Sequence, residues 1–366
     1  MSATFAVVTG GGTAGHVNPA IAVAEALVAG GRPPATVHYI GARRGIETRL
    51  LPETPFPHTF YDVVGFQRRI SRRNLAFLPK LLRSARAATA LLRELRPRVV
   101  VSVGGYASLP ATLAAKRLRI PVVVVSYDRF PGWASRLAAR GAAACAVAFP
   151  DSPLPRATLT GAPVRREVLD VDRRRDAATA RAVLGIPPER FVVAVMGGSQ
   201  GSGLLNDSVA ALLDTFGDDR SLAIRHAVGE RFAAAATAPR DGQNGLLYQP
   251  VGYEPQMPLV YAAADLLVGR GGASTVHEVA VTGTPAILVP WSGAAEDHQR
   301  ANVAWLADRG AAIALPEARI HELAQLVEHL RTDAAARERL AASAREMGDL
   351  HRRGALADLV EAVALA

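Results

Sequence analysis

The sequence predicts an α/β protein of two doubly wound parallel-sheet domains, and three observations carry that prediction. At 366 residues the chain is too long for one ordinary core and long enough for two. Short, continuously apolar runs alternate with helical patterns throughout, and continuous hydrophobicity implies strands covered on both faces, hence parallel sheets wrapped by helices. Four times, finally, an apolar strand passes through a Gly-Gly turn into a helix start: VVTGGGTAG, VVSVGGYAS, VAVMGGSQG and LLVGRGGAS.

In chain order, strands are expected at 5–9, 36–40, 99–103, 122–125, 144–149 and 157–160, then at 191–196, 222–227, 246–250, 266–268, 286–289 and 312–314. The pattern restarts after TGAPVRREVLDVDRRRDAATARAVLGIPPERF, where the charged stretch 165–176 reads as a linker opening onto a helix. The domains are therefore expected at 1–162 and 163–345, with a helical tail at 346–366 folding back on the first. Each glycine turn would present backbone N–H groups at the carboxyl edge of a parallel sheet, where a helix dipole adds partial positive charge. Two turns come from each domain, so they can face one another across a cleft. Phosphate is the natural guest, as two phosphorylated ligands or one held from both sides.

Composition narrows the classes. Apolar residues make up 49%, enough to bury both cores, and the single cysteine, Cys145, excludes an internal disulfide and suits a reducing compartment. The first residues lack the basic start of a signal peptide, and no apolar run reaches the roughly 18–20 residues that span a bilayer. A cytoplasmic protein, peripheral at the inner face of the plasma membrane, is the expectation. The formal charge of +9 is almost entirely arginine. It concentrates in 66–98, where Arg68, Arg69, Arg72, Arg73, Lys80, Arg83, Arg86, Arg93, Arg96 and Arg98 face only Glu94. Interleaved Phe66, Ile70, Leu75, Phe77, Leu78, Leu81 and Leu82 favour an anionic membrane surface over nucleic acid, for which no accompanying motif exists. A solvated helix is the plain alternative.

Gly10, Gly12 and Gly15 spell the dinucleotide fingerprint, which needs an acidic residue at the end of the second strand. Gly41, Ala42, Arg43 and Arg44 stand there, with no carboxylate until Glu47, so nicotinamide and flavin are set aside. Asp170-Val171-Asp172 has the spacing of a cation-binding Asp-x-Asp but lies in the linker, where chance is the better account. No metal or other cofactor is expected, which leaves helix ends and arginines to neutralise phosphate. In GRGGASTVHEVAVTGTPAILVP, Ser274 and Thr275 at a helix start suit a diphosphate, and Glu278, one turn on, can accept both hydroxyls of a ribose. A capping or dipole role for Glu278 stays open. Asp297, His298, Gln299 and Asn302 in EDHQRAN suit sugar hydroxyls and not a core, or else form a polar helix cap.

These runs, together with GARRGIETRLLP, TGAPVR and GGSQGSGLLND, occur in the order found in one family. The chain resembles the MurG-like glycosyltransferases, N-acetylglucosaminyltransferases acting on undecaprenyl-diphosphate-linked muramoyl peptide. The resemblance implies a GT-B arrangement, with a UDP-sugar donor in the second domain and a lipid-linked or other hydroxyl acceptor against the first. By motif position it implies Glu278 as ribose ligand and Ala273, Ser274 and Thr275 as the phosphate-side helix start. Ser199 and Gln200 become donor contacts, Tyr253 lies near uracil, and Asp297, His298 and Gln299 meet the sugar, with Arg165 on the donor side. Thr13, Gly15, Tyr106, Tyr127 and Asp128 fall on the acceptor side. His16, closing the first glycine loop, is the candidate base for a single inverting displacement, since imidazole titrates near neutrality. Positioning the acceptor diphosphate or capping the following helix are its other roles.

The chain departs from its relatives at Val125, Ser126, Tyr127 and Asp128, where the family shows His-Glu-Gln-Asn, at Ala162 in place of Asn, and at Gly203 in place of Arg. These losses of polar groups imply a changed acceptor, such as a natural-product scaffold. A UDP-sugar 2-epimerase and a non-catalytic lipid-diphosphate binder are the competing classes.

Overall fold

A computed structural model describes residues 3–63, 72–198 and 200–366. They form two compact units, Met1–Arg166 with Arg353–Ala366, and Glu167–Arg352. The first contains β1 (Ala6–Thr9), β2 (Val37–Ala42), β3 (His58–Tyr61), β4 (Val99–Ser102), β5 (Val122–Ser126), β6 (Ala144–Val147) and β7 (Ala157–Leu159). All pair in parallel, in the order β3-β2-β1-β4-β5-β6-β7. Every residue of β1, β4, β5 and β6 is buried, which is why these strands read as unbroken apolar runs.

The second unit contains β8 (Phe191–Met196), β9 (Leu222–Ala227), β10 (Arg240–Asp241), β11 (Leu247–Val251), β12 (Leu266–Arg270), β13 (Ala286–Val289) and β14 (Ile313–Ala314). The order is β10-β11-β9-β8-β12-β13-β14, parallel except for β10 against β11. In both sheets the winding direction reverses beside the first strand, between β1 and β4 and between β8 and β12. Ligands of doubly wound folds bind at the carboxyl ends of strands at such a switch point. The four glycine turns follow β1, β4, β8 and β12.

The boundary expected at 162 falls four residues later, after Arg166, and the tail divides differently. Helix Ala334–Arg352 stays with the second unit, packed on helix Ala273–Thr282, and only helix Ala355–Leu365 returns to the first, against helix Ala14–Ala29. Glu361 of that returning helix accepts from Arg32 at 3.0 Å. In the linker, Asp172 caps helix Arg173–Val183, its carboxylate accepting from the N–H groups of Arg174 and Arg175. Half of the Asp-x-Asp spacing is thereby a helix start.

Of the basic stretch, residues 64–71 lie outside the described residues, so Phe66, Arg68, Arg69 and Ile70 do too. Helix Arg72–Leu95 buries Ser84, Ala88 and Leu92 at four-residue spacing and leaves Leu82, Arg83, Arg86 and Arg93 exposed. Lys80 pairs with Asp62 at 2.9 Å. No helix among the described residues is long and apolar enough to cross a membrane.

Candidate functional site

At the β1/β4 switch point the first glycine turn is held from inside. Glu47, fully buried, accepts with Oε1 from Ala42 N–H at 2.7 Å and Gly12 N–H at 3.1 Å, and with Oε2 from Gly12 N–H at 3.2 Å. Tyr39, also buried, donates its hydroxyl to the Gly10 carbonyl at 2.7 Å. The Tyr106 ring lies on Gly12, where a Cβ would come 2.5 Å from its Cε1. Of the N–H groups this turn was expected to present to a phosphate, that of Gly12 is spent on a carboxylate of the chain itself.

His16 stands in the first turn of helix Ala14–Ala29 and is partly buried. Its Nδ1 is 2.7 Å from the Tyr127 hydroxyl, which lies 2.6 Å from the Gly15 carbonyl. Gly105, at φ +73°, passes so close that a Cβ there would stand 2.5 Å from the Gly11 carbonyl and 3.0 Å from His16 Cδ2, so only glycine fits. Burial lowers the His16 pKa, and the Asp128 charge opposes it in part. Burial thus favours the neutral form of this imidazole.

In the second unit, the turn after β12 leads into helix Ala273–Thr282. The Ser274 hydroxyl in its first turn is buried with no hydrogen-bond partner among the described residues, beside the unpaired N–H groups every helix start presents. One turn on, Glu278 Oε2 accepts from the Tyr261 hydroxyl at 2.6 Å, which orients the carboxylate. Arg270 at the end of β12 donates to Ser202 Oγ at 2.7 and 3.1 Å and to Glu317 at 2.7 Å. Ser202 in turn caps helix Gly203–Thr215 through Leu205 N–H. The two glycine turns of this unit are thereby tied together through one guanidinium. Arg225 holds buried Glu254 at 2.7 Å, and Glu254 accepts from Gln256 N–H at 3.0 Å, which fixes the loop carrying Tyr253.

The remaining expected residues divide. Gln200 is exposed beside its turn, and Ser199 lies outside the described residues. Gln299 accepts from Trp291 N–H at 3.0 Å and is partly exposed, as is His298. Asp297 is ion-paired to Arg300. Asn302 is a correction: it is fully buried, its amide donating to the Gly271 carbonyl at 3.4 Å, so it shapes the glycine turn from the core. Arg165 belongs to the first unit, beside its boundary, and pairs with Glu25 at 2.9 Å. Thr13 and Gly15 are exposed at the start of the His16 helix. Tyr127 is only 5% exposed with its hydroxyl engaged inside, so it is not a surface for acceptor, whereas Asp128 is partly exposed. Glu47, Tyr261, Arg270 and Glu254 escaped sequence reasoning. The only signal for Glu47 was the glycines around it in GARRGIE. Among the described residues no cluster of three or more His, Cys, Asp or Glu could hold a metal ion.

The family model for the glycosyltransferase family 28 N-terminal domain matches residues 6–147, and that for the family 28 C-terminal domain matches residues 192–358. A UDP-N-acetylglucosamine–N-acetylmuramyl-(pentapeptide) pyrophosphoryl-undecaprenol N-acetylglucosamine transferase of Clavibacter sepedonicus is 37% identical over 361 residues, 98% of this chain and 96% of that one. The enzyme of the same name from Desulforamulus reducens is 32% identical over 372 residues, 98% and 97% of the two chains. The crystal structure of Acinetobacter baumannii MurG superposes with a TM-score of 0.70 at 26% identity, covering all of both chains. With both domain models matched in order on two Rossmann-like sheets, and with full-length relatives above 30% identity, the chain belongs to glycosyltransferase family 28.

Proposed function

We propose that the protein transfers N-acetylglucosamine from its UDP derivative to a hydroxyl of the undecaprenyl-diphosphate-linked muramoyl pentapeptide, by one displacement that inverts the anomeric carbon and without a metal ion. The observation that carries the donor half is one helix face: the unpartnered Ser274 hydroxyl in the first turn and, four residues on, the carboxylate of Glu278 oriented by Tyr261. A diphosphate oxygen suits the first and a ribose diol the second. Thr275 and the N–H groups of the helix start take further phosphate oxygens, Tyr253 lies against uracil, and Gln299 and His298 meet the sugar. In the first unit neutral His16 takes the proton of the acceptor hydroxyl, and Tyr106 beside the second glycine turn meets the acceptor diphosphate. The transferase names carried by the full-length relatives support the same reading.

Of the six departures read as a changed acceptor, Val125, Ser126, Tyr127 and Ala162 are each at most 5% exposed and alter the interior, whereas Asp128 and Gly203 are partly exposed. A lipid-linked acceptor also suits a peripheral position at the inner membrane face, where exposed Arg83, Arg86 and Arg93 meet anionic headgroups and Leu82 enters the interface.

The test is labelled UDP-N-acetylglucosamine with the purified lipid-linked pentapeptide in detergent micelles, beside a reaction lacking acceptor. Labelled lipid and equimolar UDP, with the donor unchanged when alone, is the expected result. Unlabelled lipid despite intact donor binding would sink the acceptor assignment. Isomerised donor in the acceptor-free reaction would make the protein an epimerase.

A further inference from the structure

The helix that carries His16 has a gap in its own hydrogen bonding. The Gly15 carbonyl would ordinarily accept from the N–H four residues on, but that residue is Pro19, which has none. The Tyr127 hydroxyl fills the vacancy, donating to the Gly15 carbonyl at 2.6 Å. A phenol has one proton, and a carbonyl can only accept, so that proton is committed. What the phenol oxygen turns towards His16 Nδ1, 2.7 Å away, is a lone pair. Two lone pairs do not face each other at that distance, so Nδ1 carries the hydrogen. On a neutral imidazole the lone pair is then on Nε2.

We propose that Tyr127 is a positioning residue that fixes His16 in the tautomer with its proton on Nδ1, so that Nε2 is the atom that accepts the proton of the acceptor hydroxyl. This rests on the reading of His16 as the base. In the transfer step the acceptor O–H bond breaks and its proton passes to Nε2. The same oxygen bonds the anomeric carbon, and the bond from that carbon to the diphosphate oxygen breaks, its electron pair leaving with the nucleoside diphosphate. The imidazolium so formed keeps its Nδ1–H on the Tyr127 oxygen, and the Asp128 charge favours it. The ring lies beside the second glycine turn, where a Cβ at Gly105 would stand 3.0 Å from His16 Cδ2. Without the phenol hydroxyl nothing in this network selects one tautomer, and the form with the proton on Nε2 presents a donor where an acceptor is needed.

The test reads the tautomer directly in the full-length protein, by two-bond proton–nitrogen correlation spectra with labelled histidine, the His16 signals identified by their loss in His16→Ala. The wild type is expected to show a protonated Nδ1 and a pyridine-type Nε2. Tyr127→Phe is expected to shift His16 towards the other tautomer or a mixture and to lower kcat by roughly tenfold to a hundredfold, within the range general bases contribute, at unchanged donor KM. Tyr127→Gln, whose amide has both an acceptor oxygen and an N–H donor, is expected to recover part of kcat. A wild-type spectrum with the proton on Nε2 overturns the proposal even if no Tyr127 variant folds, as does a Tyr127→Phe protein with unchanged kcat and spectrum. Undiminished turnover in His16→Ala defeats the reading of His16 as base. Loss of turnover in His16→Ala with no response to Tyr127→Phe defeats only the positioning role.

Discussion

Glu47 offers the sharpest test of how the first glycine turn is built. Its carboxylate is fully buried and satisfies two backbone N–H groups, Ala42 at 2.7 Å through Oε1 and Gly12 at 3.1 and 3.2 Å through both oxygens. Glu47→Ala leaves both donors buried without partners. At about 1–3 kcal/mol for each orphaned group plus the cavity left by the side chain, the loss is about 3–6 kcal/mol. Glu47→Gln can keep both donors on one oxygen at the Oε1 position, but its NH2, in place of Oε2, then stands 3.2 Å from the Gly12 nitrogen, donor against donor, for about 1–3 kcal/mol. In a unit of this size each kcal/mol moves the melting temperature by roughly 2–4 °C. Calorimetry should therefore show the transition of the first unit falling by roughly 10 °C or more in Glu47→Ala and by a few degrees in Glu47→Gln, while UDP binding, which the proposed function assigns to the second unit, stays as in the wild type. Turnover should fall in both, because Gly12 and His16 share one loop. Two variants that melt within about 1 °C of the wild type would refute the argument that this carboxylate, and not a ligand, satisfies the turn.

Glu278→Ala should weaken UDP-sugar binding by about 1–3 kcal/mol, roughly 5- to 150-fold in Kd by titration calorimetry, and Tyr261→Phe, which only releases the carboxylate, by about 0.5–1.5 kcal/mol. Equal affinity in both would remove Glu278 from the donor site. Burial lowers the pKa of His226 to about 4 and, with the neighbouring His58 charge, that of His38 to about 4, so between pH 6.5 and 4 the unfolded chain binds more protons than the folded one. Stability is then full above about pH 6.5 and falls as the pH drops. At pH 5 His226 alone should cost about 2 kcal/mol and the more exposed His38 less, and His226→Gln should flatten the dependence of melting temperature on pH. A double Arg83→Glu, Arg86→Glu variant should lose about 1 kcal/mol per reversed charge or more in binding to anionic vesicles, measured by sedimentation, with micellar turnover retained; unchanged vesicle binding would detach this helix from the membrane.

What the sequence could show follows from how local each signal is. The four glycine turns were legible because buried parallel strands write continuous apolar runs and the turns need residues without side chains, as Gly105 does against Gly11 and His16. That Glu278 stands one turn on from Ser274 was legible because the helical repeat sets that spacing. β3 was not, since His58, Thr59, Phe60 and Tyr61 form an edge strand only partly buried, without an apolar run. β10 is two polar residues that count as a strand only through their pairing with β11. Glu47 and Tyr261 act on Gly12 and Glu278, 35 and 17 residues away, contacts that only the fold creates. Asn302 misled because an amide satisfied by a backbone carbonyl can belong to a core, and composition cannot reveal the partner.

Two turns that look alike in sequence are therefore different devices. The turn after β12 ends in an unpartnered hydroxyl and a helix start, whose N–H groups carry partial positive charge, with Arg270, paired to Glu317, tying it to the cap of the neighbouring helix. The turn after β1 has already received its anion, the carboxylate of Glu47. Beside that turn the first unit holds the partly buried His16 imidazole, the base of the proposed reading, whose pKa burial lowers. Filling the Gly12 N–H from within the chain removes that one donor from any phosphate bound beside the turn.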